Sequence, residues 1–363
     1  MSGLSREQRR QMLKELTEVP GVPGYEGEVA DCLVRWLDGV AEPTFDGLGS
    51  VIFRSEGEKD GPKIMLAGHM DEIGFMVRHI TEEGFIKFQT LGGWWDQVLL
   101  GQRVTIKTHS GDLPGVIGSR PPHILPPDEA KKLVMIKDMF IDVGARDRED
   151  ACDNLGIRIG DPILPFSPFT EMGNDDLLMG KAWDDRIGCA LFVDLLHRLA
   201  GEEHPNVVYG VGTVQEEVGL RGAQTSVDVV QPDVGIALEV SIAGDVPGVE
   251  DHEATDEIGG GPSLLFYDGS MIPNLPLRDL VVRVAERESI SLQSSLMARG
   301  GTDAGRIHVY RSGVPSVVLG VPTRYIHAHA GILSLSDYEN TLDLLAAIIN
   351  ELDADTVRSL RRH

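Results

Sequence analysis

The sequence predicts an α/β protein whose chain is interrupted by a separate all-β segment, and three observations predict it. Apolar strand-like runs such as 63–68 and 207–215 alternate with helical patterns at both ends of the chain. Between residues 73 and 168 that rhythm gives way to short alternating runs separated by Gly, Asp and Pro. The length, 363 residues, allows a large core with a smaller appended module.

Residues 5–16 form a charged amphipathic helix, opened by Ser5 and Gln8 at capping-box spacing, and do not resemble a signal peptide. Gly21-Val-Pro-Gly24 is turn chemistry leading to a second helix over 26–37, followed by strands at 49–54 and 63–67. Within the insertion, 74–78, 84–88, 103–107 and 115–118 read as short strands of a sheet or barrel. The proline-rich stretch 119–127 is unsuited to a central strand, and 128–132 carries a helical hint. After Asp176 the longer rhythm returns: helix 184–199, strand 206–215, helix 221–229, strand 233–241, helix 275–289, strand 313–320 and helix 336–352. The simplest account joins 1–72 and 169–363 into one α/β domain, with 73–168 inserted so as to overhang its strand ends.

Lys and Arg total 33 against 57 Asp and Glu, a formal charge of -24. Such a field repels phosphate backbones and anionic lipid, so neither nucleic acid nor a membrane is an expected partner. No apolar run reaches the roughly 18 residues a membrane span needs. Cys32, Cys152 and Cys189 lack CxxC spacing and are odd in number, which suits reduced thiols and a cytoplasmic location.

The chemistry gathers at strand ends, where open α/β sheets bind ligands. His69 and Asp71 are two apart at the end of 63–68 and share a face, so Asp71 can receive the second imidazole N–H of a metal-bound His69. Asp184 and Asp185 open a helix; capping alone accounts for both, or one bridges two cations while the other caps. Glu216 and Glu217 leave an uncharged strand on opposite sides, one suited to a metal and the other to its bound water. Glu239 is an anion inside the apolar run 235–241, harmless on an edge strand but in need of a cation if buried. His327 and His329 follow the run 317–326; one suffices as a ligand, and His327 is preferred. HExxH, G-x-S-x-G and a Walker loop are all absent from the sequence.

Taken together these residues resemble the TET-type cocatalytic metallo-aminopeptidases, the glutamyl and deblocking aminopeptidase family, some of whose members carry a cellulase label. The motifs that carry the resemblance run nearly end to end: Ala67-Gly-His-Met-Asp-Glu-Ile-Gly74, Gly118-Ser-Arg-Pro-Pro-His123, Gly180-Lys-Ala-Trp-Asp-Asp-Arg186, Thr213-Val-Gln-Glu-Glu-Val-Gly219, Gly301-Thr-Asp-Ala304 and Arg324-Tyr-Ile-His327. The resemblance implies a mixed-sheet catalytic domain of the zinc-exopeptidase type, with the β segment as a dimerisation domain. It implies two divalent ions, zinc or cobalt: one on His69, Asp184 and Glu239, the other on Asp184, Glu217 and His327. Asp71 would steady His69, and Glu216 would be the general base. Many relatives have Asp where this chain has Glu239. His123, Thr302 and Asp303 would lie near the substrate pocket. Peptides with a free N-terminus would be the substrates, and the chain would assemble from dimers into a homo-oligomer, up to a tetrahedral dodecamer.

Two other enzyme readings share parts of this pattern. A binuclear-metal deacylase or amidohydrolase would use the same ligands on an acylated amino acid. An endoglucanase would use Glu216 and Glu217 as its acids, although neighbours in sequence rarely flank a sugar ring.

Overall fold

The structure, a computed structural model, describes residues 3–250 and 252–361. Its main body is an eleven-stranded mixed sheet with helices on both faces. Four parallel strands make the centre, in the spatial order Val207–Thr213, Lys63–His69, Val234–Ile242 and Ser316–Arg324. Antiparallel strands extend it on either side, Val51–Glu56 and Pro43–Phe45 beyond the first, and Gly331–Ser334, Leu177–Gly180 and Thr170–Glu171 beyond the last.

Alternate side chains of Lys63–His69 enter different cores, which is why this strand reads as a continuous apolar run. Ile64 and Leu66 join the cluster under the helix Trp183–Leu199, with Phe192 and Leu196. Met65 and Ala67 face Ala223 and Val227 of the helix Arg221–Val230. Close approach is built in at Gly68, where a Cβ would lie 2.5 Å from the Gly188 carbonyl carbon. The first helix, Arg6–Glu18, starts with the expected capping box: Ser5 Oγ accepts from the Gln8 N–H at 3.2 Å, and Gln8 Oε1 accepts from the Ser5 N–H at 2.9 Å.

The chain leaves this body after Glu72 and forms a closed six-stranded barrel, in the order Gly74–Ile80, Ile86–Leu91, Phe140–Asp142, Gly111–Gly118, Arg103–Thr108 and Pro162–Pro165. Closure leaves no free sheet edge. Phe75, Val77, Ile86, Val104, Ile117, Ile141 and Ile163 fill it with a core of its own.

Several elements differ from expectation. The helical hint at 128–132 is a run of turns after Pro126 and Pro127, and a short π-helix, Asp150–Asn154, lies further on. Phe140–Asp142, Pro162–Pro165, Ser263–Tyr267 and Gln293–Leu296 are strands that were not anticipated. The strand expected at 313–320 runs over Ser316–Arg324, which brings its end next to His327. No helix among the described residues is long and apolar enough to cross a membrane.

Candidate metal centre

Five segments converge beyond the carboxyl ends of the parallel strands. His69 closes its strand and pairs in register with Thr213, the last residue of the neighbouring strand. Ala237 pairs with Ala67, so Glu239, two residues on, reaches the level of His69 on the same face. Glu239 is buried on a central strand, which removes the edge-strand alternative. The turn into the helix Trp183–Leu199 supplies Asp184, the turn after Thr213 supplies Glu216 and Glu217, and the loop after Arg324 supplies His327.

Asp184 stands between the two histidines. Its Oδ1 is 3.0 Å from His69 Nε2, and its Oδ2 is 3.1 Å from His327 Nε2. Glu217 Oε1 lies 3.3 Å from His327 Nε2 and is buried without a hydrogen-bond donor. Glu216 Oε2 is farther off, 3.9 Å from His69 Nε2. The remaining ring nitrogens are committed elsewhere: His69 Nδ1 donates to the Asp71 carbonyl at 2.9 Å, and His327 Nδ1 donates to the Gly93 carbonyl at 2.7 Å. Nε2 is thereby the nitrogen that each ring turns toward the carboxylates and would offer to a cation.

Asp71 supports the site differently from expectation. Its main-chain oxygen accepts the His69 Nδ1–H at 2.9 Å, and the nearer carboxylate oxygen stands farther off, 3.6 Å from the same nitrogen. The carboxylate accepts the N–H groups of Glu216 and Glu217 at 2.9 and 3.0 Å and so fixes the turn that carries both glutamates. Asp185 takes the capping part that the sequence left open between the two aspartates: it accepts the Gly188 N–H at 3.1 Å, and also the main-chain N–H of His69 at 3.0 Å. The backbone of Asp184 and Asp185 is non-helical, so Asp185 caps the regular part of the helix while Asp184 turns into the site.

The electrostatics call for positive charge. Burial raises the pKa of Glu216, Glu217 and Glu239, and neighbouring carboxylates add to the effect. Burial opposes a charge on the histidines, yet Asp184, Asp71 and Glu216 hold His69 well above the ordinary histidine range. Asp184 and Glu217 likewise take His327 to about 11. Protons on the two histidines thus neutralise part of the carboxylate charge, a task a divalent cation performs better. Donor atoms of His69, Asp184 and Glu217 lie within 4.8 Å of one another, as do those of His69, Asp185 and Glu239. This donor set fits hard or borderline divalent cations.

A cleft of about 700 Å³ leads to these residues. Thr302 lines it and donates its hydroxyl to Asp268 Oδ2 at 2.9 Å. Asp303 lies buried behind it, accepting the Thr213 hydroxyl, with burial as the main cause of a pKa near 6. His123 does not line the cleft of this chain; it sits exposed in the 3-10 turn Pro122–Ile124. His329 is buried against Trp94 and belongs to neither group of candidate ligands. Leu220, Ser241, Leu296, Met297 and Arg299 also line the cleft, and nothing in their local sequence marks them. Gly93 is another contributor without a sequence signal, because it acts through its carbonyl.

Glu26 braces the Glu216 turn from below. Its Oε1 accepts the Gly24 and Gln215 N–H groups at 2.8 and 3.0 Å. Burial, reinforced by the Asp71 charge, raises its pKa from 4.5 to about 7. Its stabilising contribution is therefore full below pH 4.5 and is lost as pH rises through 7. Glu26→Gln keeps the acceptor and removes the titration. The variant is expected to be more stable than the parent at pH 8, by on the order of 1–2 kcal/mol, and no more stable near pH 4.5. Thermal melts at the two pH values check this, and equal shifts at both would contradict it.

Comparison with known proteins agrees with this geometry. A family profile described as M42 glutamyl aminopeptidase matches residues 49–344. The chain is 45% identical over 351 residues to the putative aminopeptidase FrvX of Escherichia coli (strain K12), covering 96% of this chain and 97% of the relative. Among solved structures, a TET aminopeptidase from the marine sediment archaeon Thaumarchaeota archaeon SCGC AB-539-E09 superposes with a TM-score of 0.95 at 52% identity, covering 98% of this chain and 99% of the other. The TET1 peptidase of Pyrococcus horikoshii, which assembles into a tetrahedron or a large octahedral shell, superposes with a TM-score of 0.84 at 30% identity, over 95% of this chain and all of the other.

Proposed function

Because this chain belongs to the M42 glutamyl aminopeptidase family and is an aminopeptidase, we propose that it releases amino acids from free peptide N-termini with a pair of divalent ions, zinc or cobalt. In this reading His69, Asp184 and Glu239 hold one ion, and Asp184, Glu217 and His327 the other. The observation that carries it is the placement of Asp184, one oxygen toward each histidine. When bound, the ions acidify a water and polarise the scissile carbonyl.

The chain's own residues supply the rest. Glu216 lines the cleft and is not needed as a ligand. Its carboxylate takes the proton of the attacking water at one oxygen and delivers it to the nitrogen of the departing amine. Asp71 holds the main chain of Glu216 and Glu217, so the base and the neighbouring ligand keep a fixed separation. The excess of carboxylates attracts the ammonium group of a substrate N-terminus, which confines cleavage to the first peptide bond. Thr302 and Asp303 belong to the substrate pocket in this reading.

Residues 1–72 and 169–363 act as the catalytic domain and 73–168 as the dimerisation domain of a homo-oligomer, by analogy with the shell-forming TET1 peptidase. Exposed apolar side chains in that segment, Trp95, Ile124 and Leu133, support the assignment. The unpaired Cys32, Cys152 and Cys189 favour a cytoplasmic setting.

Chelation is expected to abolish release of amino acids from aminoacyl reporter substrates, and added zinc or cobalt to restore it. N-acetylated versions of the same peptides should resist cleavage. Full activity after verified removal of metal would end this reading, and faster cleavage of the acetylated series would replace it with deacylation.

A further inference from the structure

We propose that Trp94, on the barrel, is a positioning residue for the metal centre: it holds the Gly93 carbonyl against His327 and so aims His327 Nε2 at Asp184 and Glu217. The inference rests on the metal reading above.

His327 has little support from its own segment. It lies outside regular structure, between the strands Ser316–Arg324 and Gly331–Ser334, at φ 55, a left-handed conformation that non-glycine residues adopt only where their surroundings enforce it. The imidazole is partly open to solvent. Its Nε2 faces Asp184 and Glu217, at 3.1 and 3.3 Å, and its Nδ1 donates to the Gly93 carbonyl at 2.7 Å. That bond selects the Nδ1–H tautomer and leaves Nε2 as the ligand atom.

Gly93 belongs to the loop after the barrel strand Ile86–Leu91, which presses on the site. A Cβ on Gly92, whose φ is +82, would meet Ile73 Cγ2 at 2.5 Å and Glu217 Oε2 at 3.0 Å; one on Gly93 would lie 3.2 Å from His327 Nδ1. Only a loop without side chains at these two positions approaches this closely. The next residue, Trp94, pins the loop on three sides. Its indole N–H donates to the Gly74 carbonyl at 3.0 Å, where the chain enters the barrel. Its ring stacks on Phe75 of the barrel core at 4.7 Å and 20°. It also meets the His329 ring at 5.4 Å, two residues beyond His327. One side chain thus ties the barrel entry, the barrel core and the histidine segment together.

The test is cobalt(II) titration of the full-length, metal-stripped protein, followed by calorimetry and by the visible bands that report cobalt geometry. Trp94→Ala is expected to weaken one class of ion, the one on His327, by about 10–100-fold and to change its visible bands. The class held by His69 and Glu239 should keep its affinity. Trp94→Phe, which keeps the stacking, should recover most of the loss. Gly93→Ala, with its Cβ against His327 Nδ1, should show the same selective weakening and carries the test should Trp94→Ala not fold. Unchanged affinities, or both classes weakened alike, would overturn the proposal while leaving the metal reading intact. A parent protein that takes up no cobalt would overturn the metal reading itself.

Discussion

Glu216→Gln is expected to bind metal as the parent does and to lose about 10²–10⁴-fold in kcat. The side chain is nearly isosteric, and the main chain at this position is held by Asp71 Oδ1, so the turn survives the change. None of the groups facing Asp184 is altered: His69 Nε2 at 3.0 Å and His327 Nε2 at 3.1 Å both remain. The lost ability is to accept a proton, because an amide oxygen is a far weaker base than a carboxylate. KM should move only a few-fold, since what is removed acts chiefly in the transition state. Steady-state kinetics on aminoacyl substrates, with elemental analysis of the same samples, separate the possibilities. Parent-like turnover would remove Glu216 as the base, and loss of metal together with turnover would move it into the ligand set.

How much of this was legible in the sequence depends on which physical signal each residue carries. Glu239 was conspicuous because a charge inside an apolar β run is costly unless it is compensated, and the fold does bury it on a central strand. His69 was legible from its place at the end of an apolar run. The strand before His327 was expected over 313–320, and it runs on through Pro322 to Arg324. It continues because Ser263–Tyr267 pairs with it only at Gly320 and Leu319, and Gly331–Ser334 only at Thr323 and Arg324. The proline falls in the gap between these two partners, where no N–H is required.

Other features carry no local signal. Phe140–Asp142 and Pro162–Pro165 are too short to show a period and become strands only through barrel closure. Asp71 was expected to use its carboxylate on His69; the main-chain oxygen does this, and the carboxylate serves a turn 145 residues away in the chain. Gly93 contributes a carbonyl, which every residue type possesses. Sequence reasoning therefore reaches charged side chains in improbable places more readily than it reaches the backbone groups that orient them.

Asp184→Asn is expected to remove both ions together and to take kcat to background, a loss of about 10³-fold or more given the several kcal/mol a metal contributes to the transition state. The reasoning follows from the two oxygens. Oδ1 faces His69 at 3.0 Å and Oδ2 faces His327 at 3.1 Å, so this one carboxylate presents a separate oxygen to each histidine. Asparagine replaces one of these oxygens with a nitrogen whose lone pair is delocalised, and it cancels the charge that both ions share. Glu217 comes 3.3 Å from His327 and within 4.8 Å of His69, a looser approach than the 3.0 and 3.1 Å of Asp184, so it is a poor substitute for the bridge. His327→Ala supplies the contrast, since it should cost the ion near Glu217 and spare the one near His69 and Glu239. Elemental analysis of the two variants, with circular dichroism to confirm that both fold, gives the comparison directly. If Asp184→Asn kept both ions at parental affinity, Asp184 would be a neighbour of the site and not its bridge, and the assignment of a shared carboxylate would fall.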